Sequence, residues 1–355
     1  MKTMIPKIIE TERLILRPPQ NSDADQIAPR ITHDVAHWLA RMPYPYSRAD
    51  AVDWLSEMQK DPDKAVWAIT LDGRYIGTIG LEREFGYWLA QERWGQGLMS
   101  EAGRAVLDSY FRDPAAGPLA SGYFIGNERS ANVLRKLGFG PKAAPILRYN
   151  LAQDKDLPLQ QMYLTPEQWH FLNPVEIKTE RLRIHPNEAH HMAAIHAIIA
   201  QQKVARNLGS FPHPLDIEFI EERVENGRWR GGWNGWFHIA DPAGTVLGMI
   251  GFYSSTQGQE DDIGIGYALD PKAWGQGIMS EALRAFCDFI FERYRAGKIQ
   301  ASCFDDNPAS QRVLEKAGFE PFEKDMEKSA ARSEKSPITR YRLVRRKGAS
   351  DGTGH

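Results

Sequence analysis

Small and apolar residues recur at helical spacing in two places along this chain: Ala102, Ala105, Val106 and Tyr110, then Ala282, Ala285, Phe286, Phe289 and Ile290. Steps of three and four predict an amphipathic helix at each. Ahead of the first, residues 66–70, a turn at Asp72-Gly73, residues 75–80 and residues 85–89 read as an antiparallel meander. An earlier short strand at 13–17 is ended by Pro18-Pro19, and two helical stretches are expected between it and the meander. A proline-rich loop, Met42-Pro-Tyr-Pro-Tyr46, separates them, and its counterpart is Phe211-Pro-His-Pro214. Beyond each amphipathic helix the pattern predicts a strand (119–125, 299–304), then a second helix from Asn127 or Asn307 to Gly138-Phe139 or Gly318-Phe319. A last strand follows each (160–164, 339–344).

The second set of elements is a copy of the first. Trp94-Gly-Gln-Gly-Leu-Met-Ser-Glu-Ala returns as Trp274-Gly-Gln-Gly-Ile-Met-Ser-Glu-Ala, and residues 94–111 match 274–291 at 12 of 18 positions. Thr11-Glu-Arg-Leu recurs as Thr179-Glu-Arg-Leu, Gly77-Thr-Ile-Gly80 as Gly248-Met-Ile-Gly251, Gly86-Tyr as Gly266-Tyr, and Asn127-x-x-Ser130 as Asn307-x-x-Ser310. The offset grows from 168 to 180, mostly through one insertion near residues 254–260. A period this long marks a duplicated domain rather than a solenoid. We expect domains at 1–172 and 173–347, with Asn173-Pro174 at the junction and a disordered tail at 348–355.

Composition narrows the class. The 355 residues suit two domains. A net charge of −2 gives no global basic field, so a nucleic-acid partner is not expected. Two cysteines, Cys287 and Cys303, make no disulfide framework. Without a signal-like start or an 18-residue apolar run, a cytoplasmic protein with no membrane partner is expected.

A strand, Trp-Gly-Gln-Gly and then a helix leave free backbone N–H groups at a helix N-terminus, which suits a phosphate. No Gly-Lys-Ser/Thr follows, so the turn is not a P-loop. It lacks the third glycine and the βαβ setting of a dinucleotide fingerprint. The turn alone leaves open a purely structural role.

With the Asn-x-x-Ser helix and Lys136-Leu-Gly-Phe139, the order of elements resembles the GNAT superfamily of N-acetyltransferases, in both halves. The Thr-Glu-Arg-Leu opening and Asn127-Glu-Arg-Ser-Ala-Asn-Val-Leu-Arg-Lys-Leu-Gly-Phe139 most resemble its branch of ribosomal-protein N-terminal acetyltransferases. The resemblance implies two tandem α/β domains, each a mixed, mostly antiparallel sheet flanked by helices. It implies acetyl-CoA bound in each copy: pyrophosphate on Gly95, Gln96, Gly97, Leu98, Met99 and Ser100, and on Gly275, Gln276, Gly277, Ile278, Met279 and Ser280. The pantetheine would lie along strands ending near Leu89 and Leu269, beside Asn127 and Asn307. Ser130 and Ser310 would face the thiol and take the general-acid role, since the tyrosine many members carry for it seven residues after the Asn is here Leu134 or Leu314.

A general base is expected at Glu84, with Glu82 on the same strand face. In the second copy that position is Gly264, and Asp262 lies one step further out. Also open are the readings that Asn is only an N-cap and Ser a first-turn residue, and that these acids are solvated hairpin residues. The acidic insertion of the second copy favours a cationic amine. His185, His190, His191 and His196 have poor zinc spacing, so no metal is expected. The acceptor is a primary amine, of a peptide N-terminus or a small molecule. Alternatives are a non-catalytic acyl-CoA-binding module, a tandem with one active domain, and a nucleotide-phosphate enzyme. The duplication can stand in for a homodimer, so a monomer or weak dimer is expected.

Overall fold

The computed structural model describes residues 5–61, 64–82, 84–254, 263–294 and 296–345. The chain divides into two compact units, Met1–Leu172 and Asn173–His355.

In the first unit, Ile9–Glu10, Ile15–Arg17, Val66–Leu71, Arg74–Gly80 and Gly86–Leu89 form a five-stranded antiparallel sheet in that order. Leu119–Phe124 pairs with Lys155–Leu164, whose far edge carries Gly140–Pro141 at one end and Ile146–Asn150 at the other. The two sheets meet where the Phe85 N–H donates to the Ala120 carbonyl (2.8 Å). In the second unit the corresponding strands join in one eight-stranded sheet, with a single parallel pair between Ile263–Leu269 and Lys298–Phe304.

The predicted amphipathic helices are Leu98–Phe111 and Ile278–Tyr294. The first buries Met99, Ala102, Val106 and Phe111 against Leu16, Ile69, Ile76 and Phe85. The second buries Ala282, Phe286 and Ile290 against Phe237, Ile250 and Phe252. Each fully buried large apolar side chain contributes about 1.5–3 kcal/mol, so these seams anchor the glycine turns that start the helices. The opposite sheet face is covered by Ala24–Ile27, His33–Ala36 and Arg48–Gln59 in the first unit, and by Met192–Ile199 and Ile217–Asn226 in the second. The first expected helical stretch is thus broken into single turns, with Pro29 inside the 3-10 turn Ala28–Arg30.

The pattern misses the edge strands Ile146–Asn150 and Glu320–Glu327 and the helix Pro166–Leu172. Those strands lack alternating burial: Glu320–Glu327 is exposed along almost its whole length.

Candidate active sites

Both glycine turns are built alike. Gly95 and Gly97 have φ of 74° and 77°, and Gly275 and Gly277 have 76° and 78°, a left-handed backbone that side chains disfavour. A Cβ on Gly95 or Gly275 would meet nothing within 4 Å, so conformation, not crowding, requires glycine there. Gly97 is the N-cap of Leu98–Phe111 and offers no side chain to its first-turn N–H groups. Those donors lack a side-chain cap, and the residues that carry them line the cleft, an arrangement that suits an anion.

The repeated Thr-Glu-Arg-Leu holds this turn in place. Thr11 Oγ1 donates to Glu101 (2.6 Å), the Arg13 backbone N–H and Nε donate to the same carboxylate (2.9 and 2.7 Å), and Arg13 Nη1 donates to the Gln96 carbonyl (3.1 Å). In the second unit Arg181 repeats this on Glu281 (3.1 and 2.8 Å) and the Gln276 carbonyl (3.2 Å), with Thr179 also on Glu281. Burial alone would raise the Glu101 and Glu281 carboxyls, but the donors from Thr and Arg outweigh it and hold both below the usual range. The tryptophan before each turn ties it to the strand end: Trp94 Nε1 donates to the Leu89 carbonyl (2.8 Å), Trp274 Nε1 to that of Leu269 (2.9 Å). Gln96 and Gln276 can offer only their backbone N–H groups, as expected of the turn, and not their side chains. Their side chains fold back onto the Glu92 and Lys272 carbonyls and do not line the clefts.

A cleft runs from each turn between two diverging strands. In the second unit Ile263–Leu269 and Lys298–Phe304 pair only at Ile263/Ile299 and Gly264/Gln300. Beyond that the backbone of Ile265 to Leu269 has an open edge, which suits an amide-bearing arm. The first cleft, about 370 Å³, is lined by Leu89, Gly95, Gly97, Leu98, Met99, Ser100, Asn127 and Ser130. The second, about 890 Å³, is lined by Leu269, Gly275, Gly277, Ile278, Met279, Ser280, Asn307 and Ser310. Lys136 and Arg129 in the first, and Arg312 and Lys316 in the second, add cations on the Asn-x-x-Ser helix.

Asn127 and Asn307 are N-caps: each Oδ1 accepts from the backbone N–H of Ser130 or Ser310 (3.2 Å). Each serine hydroxyl meets a tyrosine from the facing strand, Tyr87 on Ser130 (2.9 Å) and Tyr267 on Ser310 (2.8 Å). The recurring Gly86-Tyr and Gly266-Tyr pairs are the only signal of these tyrosines in the sequence, because their partners lie 43 residues on. Burial pushes both phenols well up, against a smaller opposing effect of the serine hydrogen bond, so each stays protonated at neutral pH.

Glu84 lies in a bend before Gly86–Leu89, not on the strand, and lines the first cleft. Arg148 Nη1 donates to both its oxygens (3.0 and 3.1 Å). Glu82 pairs instead with Lys64 (3.4 Å). At Gly264 a Cβ would overlap the Tyr253 ring, so no carboxylate fits there without a shift. Asp262 and the rest of the acidic insertion, 255–262, lie outside the described residues.

The acetyltransferase (GNAT) domain matches twice, at residues 13–140 and 181–320. The chain belongs to the GNAT family. Among curated relatives of Bacillus subtilis (strain 168), the "Probable N-acetyltransferase YjcK" is 38% identical over 74 residues, 21% of this chain and 41% of that protein. The "Uncharacterized N-acetyltransferase YoaA" is 35% identical over 75 residues, 21% of this chain and 42% of that protein. These matches thus span less than half of either relative's length. A third, the "Putative ribosomal N-acetyltransferase YdaF", is 26% identical over 144 residues, 36% of this chain and 78% of that protein. Among solved structures, a GNAT acetyltransferase from Bacillus anthracis is 24% identical with a TM-score of 0.42, covering 48% of this chain and 98% of its own.

The two GNAT units differ at the cleft end away from the glycine turn. In each, the loop after the short helices is bolted to a loop beside the last strand. In the first unit the fully buried Asn150 donates to the His37 carbonyl (3.0 Å), and the Leu151 N–H to that of Ala40 (3.0 Å). In the second, the buried Ser329 donates to the Leu208 carbonyl (2.6 Å) and Arg332 to that of Arg206 (2.8 Å).

The histidines of the second GNAT unit are arranged differently from the expected group. His196 Nε2 faces the Leu215 carbonyl (3.1 Å), and His238 joins His185, His190 and His191 in a stack. His191 and His238 lie face to face at 3.6 Å between ring centroids, a geometry that does not converge lone pairs on one point. Burial and the neighbouring imidazoles push His191 down to about 4 and His238 to about 3.

Proposed function

We propose that each GNAT unit moves an acetyl group from acetyl-CoA to a primary amine. What carries this reading is the coincidence, twice in one chain, of an open helix N-terminus, a splayed strand edge and a Ser–Tyr pair in one cleft. Acetyl-CoA would supply the activated acetyl thioester. The first-turn N–H groups of Leu98, Met99 and Ser100, and of Ile278, Met279 and Ser280, would hold its pyrophosphate. Ser130 and Ser310, each backed by a protonated tyrosine, hold a proton where a departing thiolate needs one.

Glu84 is the candidate base of the first unit, and the Arg148 pair restrains it. A restrained base, or none at Gly264, suits an amine that is already partly neutral. An α-amine, with a pKa near about 7.7–8.0, meets that need better than a lysine near about 10.4. The YdaF similarity points the same way, toward a protein N-terminus, with small-molecule amines as the second acceptor class.

The test is thiol release from acetyl-CoA with a panel of peptides and small amines. Turnover with amines that begin at an α-amine, and little with lysine side chains, is the expected result. Acetyl-CoA binding with no turnover on any amine would leave a non-catalytic acyl-CoA-binding protein instead.

A further inference from the structure

The larger second cleft has a definite cause. Counting from the shared Pro45/Pro214 and Gly86/Gly266, three tryptophans of the first unit are replaced in the second: Trp38 by Asn207, Trp54 by Arg223 and Trp88 by Ala268. Trp38 and Trp88 line the first cleft, and Trp54 packs behind Trp88 in the same apolar cluster. With Ala268 in place of Trp88, the second cleft extends back to the third position, where Asn207, Ser210, Phe211 and Arg223 line it. The same exchange therefore adds volume and places a guanidinium at the back wall.

That guanidinium is held ready rather than neutralised. Arg223 lies over the Phe211 and Phe219 rings (4.9 and 5.7 Å) and donates to Ser210 Oγ (2.7 Å); among the described residues it has no carboxylate partner. The acids that line the same cleft are already matched: Asp306 with Arg206 and Arg332 (both 2.8 Å), and Glu327 with Arg340 (3.3 Å). Lys203 adds a further cation, over Trp274 (5.6 Å).

We propose that the acceptor pocket of the second unit takes an amine that also carries an anionic group, a phosphate or a carboxylate, and that Arg223 with Ser210 reads that group. The first unit, walled by tryptophans at the matching positions, takes a neutral or apolar acceptor. As a statement about acceptors, this rests on the acetyl-transfer reading. A guanidinium fork on an aromatic bed is suited to a planar or tetrahedral oxyanion. The acidic insertion that favoured a cationic amine lies outside the described residues.

Binding tests this separately from turnover. The intact protein is saturated with coenzyme A, so that its phosphate-binding groups are filled, and titrated with O-phosphoethanolamine, β-alanine, ethanolamine and putrescine by calorimetry or ligand-observed NMR. At least one of the two anionic amines should bind about tenfold or more tightly than ethanolamine. Arg223→Gln should abolish that preference while leaving coenzyme A binding in place, and Arg223→Lys should restore part of it. Equal affinity for ethanolamine and both anionic amines, tighter binding of putrescine, or a preference that Arg223→Gln leaves intact would overturn the proposal. Thiol release is read in parallel with peptides that begin at an α-amine: Arg223-dependent binding together with no turnover on any α-amine contradicts the acetyl-transfer reading alone.

Discussion

Glu101 and Glu281 illustrate how one carboxylate can hold the turn of a proposed cradle from outside it. Each collects donors from the Thr and Arg of the opening motif, and the same arginine grips the turn carbonyl. Glu101→Gln leaves Arg13 without its charged partner, so acetyl-CoA should bind the first unit about tenfold more weakly while the second unit is unchanged, measured by calorimetry. Tyr87→Phe removes only the hydroxyl that meets Ser130. It should lower kcat of the first unit about tenfold with little change in the KM for acetyl-CoA, and Ser130→Ala about a hundredfold, within the usual range for acid–base groups. An equal rise in KM would indicate a packing role for the tyrosine. The cradle residues were readable in sequence because glycines and a helix start are local signals. Tyr87 and Arg148 were not, because they act on partners 43 and 64 positions away.

At the scale of elements, the site depends on strands that separate and loops that are tied. The divergence after Ile263/Ile299 and Gly264/Gln300 opens the cleft, and no residue pattern announces where a parallel ladder stops. Helices with an apolar stripe and an Asn cap were legible; the charged edge strand Glu320–Glu327 was not, since nothing in it alternates. The loop tie at Asn150 makes a stability prediction. Asn150→Ala removes a buried donor from the His37 carbonyl and an acceptor from the Gln153 N–H, so the first unit should lose about 1–3 kcal/mol in denaturant unfolding. The histidine stack predicts a pH dependence of the second unit. An unfolded histidine binds a proton near 6.5, whereas His191 and His238 in the fold do so only near about 4 and about 3. Their contribution is therefore complete above about pH 6.5 and is lost as pH falls through 6 and 5 toward those values. Melting curves between pH 7 and 4.5 should show this loss, and His238→Phe, which keeps a ring in the stack, should flatten it.

For the whole molecule, duplication has kept one end of each cleft and changed the other. The glycine turns, Thr-Arg-Glu clamps, Asn caps and Ser–Tyr pairs agree between the two GNAT units residue for residue. Glu84 against Gly264, and three tryptophans against Asn207, Arg223 and Ala268, do not. The repeat is plain in sequence because residues 94–102 and 274–282 form one matching run; the four changed positions are scattered between residues 38 and 88 of the first unit and become visible only once the fold brings them together. Two intact cradles make a quantitative demand on the full chain. Calorimetric titration with acetyl-CoA should give two sites per chain, with Gly97→Trp and Gly277→Trp each removing one and leaving the other at its original affinity. A single site in the parent protein, or two sites that survive both substitutions, would contradict the assignment of one acetyl-CoA cradle to each unit.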